Sequence, residues 1–174
     1  MAAPSNNIID DLSRSPSSAS NGAEWQFVAD GVMGGVSKGW MAYENVQGRI
    51  ALRMQGDVSL ENNGGFIQVA LDLAPDGSTV DGTEFNGIEI DTVGNSRSYN
   101  LHLRTADVTR PWQSYRQSFK AGQSWQTHRL PFADFRGYRI SQPLNLRRLR
   151  RIGILAIGEA FDADIAIGGI RFYR

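Results

Sequence analysis

The sequence predicts an all-β protein, an antiparallel sandwich or barrel, on three observations. Apolar residues recur with a period of two, as in strands that bury one face and wet the other. Short runs of Gly, Pro, Asn and Asp interrupt them at turn spacing. No segment of ordinary helix length carries an apolar stripe at a period of 3.6. Many short strands joined by Gly-rich turns characterise these architectures.

In chain order, Ser13–Gly22 is rich in Ser and includes Pro16, Asn21 and Gly22. That composition buries little and reads as flexible, so a tail over residues 1–23 and one domain over 24–174 are expected. Strands are predicted at Arg49–Met54 and at Ile67, Val69, Leu71 and Leu73, which alternate with Gln68, Ala70 and Asp72. Ile88 and Ile90 alternate with Glu89 and Asp91, and Tyr99, Leu101 and Leu103 with Asn100, His102 and Arg104. Ser114–Phe119, Trp125–Leu130, Arg151–Ile157 and Asp162–Tyr173 follow. Ile152–Ile157 is apolar in both phases, as a strand covered on both faces would be. The apolar phase switches at Gly168-Gly169, which predicts a β-bulge. Asn63-Gly64 lies between apolar runs and reads as a hairpin turn.

A chain of 174 residues is long enough to bury a full core in one domain. The chain has no cysteine, which excludes disulfides and thiolate metal sites. Formal charge is zero, so no global field draws it to nucleic acid or anionic membrane. No apolar run reaches bilayer length, and no charged n-region or apolar h-region opens the chain. A cytoplasmic protein without direct membrane insertion is the expectation.

Motifs for catalysis are missing. His102 and His128 are the only histidines, and each reads as a solvent-facing strand residue. Zinc spacings and nucleotide-binding glycine loops do not occur, and no serine sits in a recognisable triad pattern. Glu89 and Asp91 would project from one strand face about 7 Å apart, a spacing to weigh against the two carboxylates of a glycosidase. Asp30 with Glu61 is the other carboxylate pair to consider. Gln68, Glu89, Asp91, Asn100, His102, Arg104 and Arg116 all occupy outward phases. If their strands are neighbours they form one polar surface, either a solvated face or a sugar-binding one with Trp112, Tyr115 or Trp125 as platform. The basic run Arg147–Arg151 reads as a solvated loop leading into a buried strand.

Two glycine-rich blocks carry more specific information. Asp30-Gly31-Val32-Met33-Gly34-Gly35-Val36-Ser37 and Leu60-Glu61-Asn62-Asn63-Gly64-Gly65-Phe66 resemble the signature blocks of the complex I intermediate-associated protein 30 family. Tyr115–Phe119, Trp125–Phe135, Ile152–Ile154 and Ile170–Tyr173 resemble its later blocks in the same order, so the similarity runs from Trp25 to Arg174. The resemblance implies a galactose-binding-like β-sandwich of jelly-roll type. It also implies a non-catalytic domain, since mitochondrial members are assembly factors that act by binding. The chain departs from the family pattern at Ile67–Ala70, where small residues and an arginine are usual, and at Gly94–Tyr99, which lacks a Gly-Asp-Gly run.

The expected function is therefore binding, in assembly or stability of a protein complex, with a respiratory or other membrane-complex subunit as partner. The alternative is a module for a sugar or small ligand. Expected binding residues are Asp30, Met33, Ser37, Glu61, Asn62 and Asn63 on the loops, with Gln68, Asp91, His102 and Arg104 on the polar face. The loop carboxylates and amides can equally tie the loops to each other. No cofactor is expected; the sandwich architecture leaves a structural calcium open.

Overall fold

The structure, a computed structural model, describes residues 7–174. It is a sandwich of two antiparallel sheets. Among the described residues twelve strands follow one another: β1 Ile8–Asp10, β2 Gln26–Ala29, β3 Lys38–Val46, β4 Arg49–Val58, β5 Phe66–Asp72, β6 Gly87–Gly94, β7 Arg97–Thr105, β8 Ser114–Ala121, β9 Gln126–Pro131, β10 Arg136–Tyr138, β11 Leu149–Ile157 and β12 Phe161–Tyr173. The first sheet runs β3-β4-β12-β6-β9, with β1 added beside β12. The second runs β10-β8-β7-β11-β5-β2. Consecutive strands repeatedly cross from one sheet to the other, which is why strand order is not readable from periodicity.

The alternating residues behave as the pattern requires. Leu52, Met54, Ile88, Ile90, Ile165 and Ile167 from the first sheet are buried with Ile67, Val69, Leu101, Leu103, Ile152 and Ile154 from the second in one continuous core. Each such side chain stabilises the fold by about 1.5–3 kcal/mol on burial, which lets a domain of this size do without disulfides. β11 lies at the middle of its sheet, between β7 and β5. Its inward residues enter the core, while Leu155 is buried on the outer face, so both phases are apolar. The register of β12 against β6 shifts between Ile167 and Gly169, the expected bulge.

Two expectations are corrected. Residues 1–6 of the expected tail lie outside the described residues, but the following segment belongs to the fold. Ile8 and Asp10 pair with Arg171 and Ile170 of β12, and Ile9, Leu12, Ala19 and Ala23 join the core. Buried Asp10 fixes this segment, accepting hydrogen bonds from Trp25 Nε1 at 2.8 Å and from the N–H of Leu12 at 2.9 Å. One carboxylate here orders a Ser-rich loop that composition marks as mobile. The second correction is Asn63-Gly64, which closes no hairpin: it follows β4 of the first sheet and precedes β5 of the second. Glu61–Asn63 forms a single 3-10 turn with Asn62 in the left-handed region at φ 56°, a conformation asparagine tolerates.

Candidate functional site

The two glycine-rich loops meet at Asp30, which is completely buried. Its carboxylate accepts from the N–H groups of Gly65 at 2.6 Å, Phe66 at 3.2 Å and Ser37 at 3.0 Å, and from Ser37 Oγ at 2.5 Å. Ser37 Oγ in turn accepts from the N–H of Ser59 at 2.8 Å. The glycines make room for this carboxylate. A Cβ at Gly64 would sit 2.5 Å from Asp30 Oδ2, and one at Gly35 would collide with the same side chain. Gly65 adopts φ 136°, which only glycine takes freely. Burial alone would raise the Asp30 carboxyl, but the bonds from Ser37, Gly65 and Phe66 outweigh it and hold it below the usual carboxylate range. Asp30 and Ser37 thus tie the two loops to each other. Met33, Glu61 and Asn62 are exposed on the same loops, and Asn63 lies in the turn beside them.

The expected polar surface divides between the two sheets. Glu89 and Asp91 project from the outer face of the first sheet, where Arg171 reaches both, at 3.1 Å. Arg49 also meets Asp91, and Arg129 meets Glu89. Arg129 first, and Arg171, hold the Glu89 carboxyl below its usual range. Burial opposes the same shift at Asp91, but bonds from Arg171, Thr127 and Arg49 prevail. Neither is a poised proton donor, since a glycosidase acid needs a raised pKa. Asp30, of the other pair, is buried and accepts its hydrogen bonds from the two loops. Asp91 is therefore separated from Gln68, His102 and Arg104, which lie on the opposite side of the sandwich.

On that side is a groove of about 560 Å³ across the outer face of the second sheet. Its floor is Gln68 of β5, Leu155 of β11, His102 and Arg104 of β7, and Ser114 and Arg116 of β8. Cross-strand register puts them together: His102 lies opposite both Gly153 and Arg116, and Gln68 opposite Leu155. Gly153 leaves the space that the Gln68 amide occupies. The walls are Trp112 on the loop before β8, Tyr138 of β10, and Met33 and Leu60 from the two glycine-rich loops. All four wall residues are exposed. The Arg116 guanidinium stacks on Tyr138, 3.7 Å from the ring centre.

His102 is buried rather than solvent-facing, because the loops and Arg116 cover its strand face. Burial, then the charges of Arg116 and Arg104, lower it to a pKa of about 3, so the ring is neutral at physiological pH. Arg116 Nε donates to Ser114 Oγ at 2.8 Å, and that hydroxyl lies 3.4 Å from His102 Nδ1. The guanidinium can only donate, so the hydroxyl accepts from Arg116, and its direction toward His102 Nδ1 follows the ring tautomer. Nε2 is buried and has no hydrogen-bond partner among the described residues. His128 is not solvent-facing either. Its Nε2 lies 3.0 Å from Thr92 Oγ1, and its ring packs on Phe119.

Sequence reasoning found Gln68, His102, Arg104 and Arg116 by outward phase and named Trp112 as a platform. It missed Tyr138, which sits on a three-residue edge strand with no periodic signal. Tyr115 is buried and Trp125 lies under Arg49 on the other sheet. Among the described residues no three of His, Asp and Glu gather as a metal-binding group, and no helix is long and apolar enough to cross a membrane.

These features define an antiparallel jelly-roll sandwich of galactose-binding-like fold. The chain is similar in structure to the family 11 carbohydrate-binding module from Clostridium thermocellum in complex with a β-1,3-1,4-mixed-linked tetrasaccharide. The TM-score is 0.73 at 16% identity, covering 97% of this chain and 95% of that one. A family 30 carbohydrate-binding module has a TM-score of 0.60 at 15% identity over 78% of this chain and 73% of that one. The agarase AgWH50C has a TM-score of 0.62 at 11% identity, and 96% of this chain matches 26% of that enzyme. At these identities the likeness is one of fold. The sequence model of the complex I intermediate-associated protein 30 family matches residues 14–167. The chain belongs to that family. Among curated protein sequences, none matches it.

Proposed function

We propose that this domain acts by binding, not catalysis, and that the groove on the second sheet takes an extended polar ligand, in the first place a saccharide. The observation that carries this reading is the juxtaposition of exposed aromatic rings, Trp112 and Tyr138, with the polar side chains of His102, Arg104 and Gln68 on a rigid sheet. Sugars present apolar ring faces beside hydroxyl groups, and aromatic platforms beside fixed hydrogen-bonding groups match both. The carbohydrate-binding modules that share the fold support the reading. Glu89 and Asp91 are held in ion pairs and Asp30 in loop ties, which favours binding over hydrolysis.

A glycan array followed by calorimetry tests the reading. Retention of a saccharide class, lost in Trp112→Ala without a change in melting, supports it. No retention of any saccharide removes it.

A second reading is assembly or stabilisation of a protein complex, with a respiratory or other membrane-complex subunit as partner. It draws on the family's description and on Met33 and Leu60, 54% and 51% exposed at the groove rim. Gentle affinity purification from the native cell would then recover a partner that is lost in Met33→Glu and Leu60→Glu. Equal recovery with both variants counts against it.

A further inference from the structure

We propose that the groove selects ligands carrying a negative charge, a saccharide bearing a carboxylate or sulfate group, through Arg104, Arg116 and His102. This deepens the saccharide reading above and rests on it. No Asp or Glu lines the groove, while Arg104, Arg116 and Arg151 all do. Arg151 is paired with Asp72 at 2.8 Å. Arg104 and Arg116 meet no carboxylate among the described residues. The Nη1 of Arg104 donates to the carbonyls of Pro111 and Gln113 at 3.0 and 3.3 Å, and Arg116 uses only Nε, to Ser114. The contrast with the opposite face is plain: there Arg49, Arg53, Arg129 and Arg171 each meet a carboxylate.

A half-buried guanidinium without a counter-charge is costly to hold. Burial first, then Arg151 and Arg150, push the Arg104 guanidinium below its ordinary pKa. Burial is also the leading influence on Arg116. Both keep their charge and place unused N–H groups at the groove, fixed by the carbonyls on one side and by the Tyr138 ring on the other. Beside both in the sheet, His102 adds a buried Nε2 with no hydrogen-bond partner among the described residues. Side-chain acceptors are scarce: Gln113 Oε1 already accepts from the N–H groups of Thr109 and Arg110 at 3.1 and 3.0 Å. Such a floor needs acceptor oxygens more than it can offer them. Sugar hydroxyls bring donors as well as acceptors, whereas a carboxylate or sulfate brings acceptors and the missing charge together.

The test is calorimetry on the full chain with oligogalacturonate, oligoalginate and a sulfated galactan, each beside its carboxyl-reduced or desulfated form, and with sodium sulfate alone. The expected result is that at least one acidic saccharide binds about tenfold or more tightly than its neutral form. That preference should shrink in high salt, and Arg104→Gln and Arg116→Gln should each remove it while melting stays unchanged. Should either variant lose stability, Arg104→Lys and Arg116→Lys keep the charge and are expected to keep the preference. Neutral forms binding as well as acidic ones would overturn the charge selection and leave the saccharide reading standing. Sulfate binding while no saccharide does, or no binding at all, would overturn both.

Discussion

Asp30 ties the two glycine-rich loops together through its buried carboxylate. Replacing it with Ala leaves the N–H groups of Gly65, Phe66 and Ser37 buried without an acceptor, so a loss of about 3 kcal/mol or more is expected in urea unfolding. Gly64→Ala should lose stability too, through the clash with Asp30 Oδ2. An unchanged unfolding midpoint in either variant would contradict the tie. His102 gives a second residue-scale prediction. Its folded pKa is depressed to about 3, below the ordinary histidine value. Only the unfolded chain then takes up the proton as pH falls below about 6.5, so this stabilisation is present above that pH and fades toward pH 3. Between pH 6.5 and 5 the wild type should lose about 1.5 kcal/mol more than His102→Gln. His128, also lowered by burial, adds to the slope in both proteins, and equal slopes would contradict a neutral buried His102. The depressed Asp30, Glu89 and Asp91 act in the same direction at lower pH, their stabilisation being lost as pH falls through their folded values.

At the scale of elements, the N-terminal segment separates composition from structure. Removing residues 1–12 takes Ile9 and Leu12 from the core and Asp10 from Trp25, and about 4 kcal/mol should go with them. A truncated chain that melts at the same temperature would restore the flexible-tail reading. Strands with clean alternation, such as Ile67–Leu73 and Tyr99–Leu103, were legible because one face meets the core and the other water. β11 was legible through its doubly apolar run, and the bulge through the phase change at Gly168-Gly169. β3 was not, since Trp40, Met41, Ala42 and Tyr43 are consecutive apolar residues with no period. β1 and β10 are too short to hold one. Asn63-Gly64 misled because a hairpin and a crossover to the other sheet share the same local turn chemistry.

For the whole molecule, period two tells inward from outward but not which sheet a strand joins. Gln68, His102, Arg104 and Asp91 were all recognisable as outward residues, yet Asp91 lies on the far face, locked between Arg49 and Arg171. The glycine-rich blocks marked the family and fold, while their buried carboxylate proves to be the tie that sets Met33 and Leu60 beside the groove. The sandwich thus has one outer face crossed by ion pairs and another where Arg104 and Arg116 meet no carboxylate among the described residues. Backbone amide NMR during titration with the acidic saccharide panel tests this division most directly. Shifts confined to Gln68, His102, Arg104, Ser114, Arg116 and Leu155 are predicted. Shifts centred on Asp91 and the first sheet, or none with any saccharide, would contradict it.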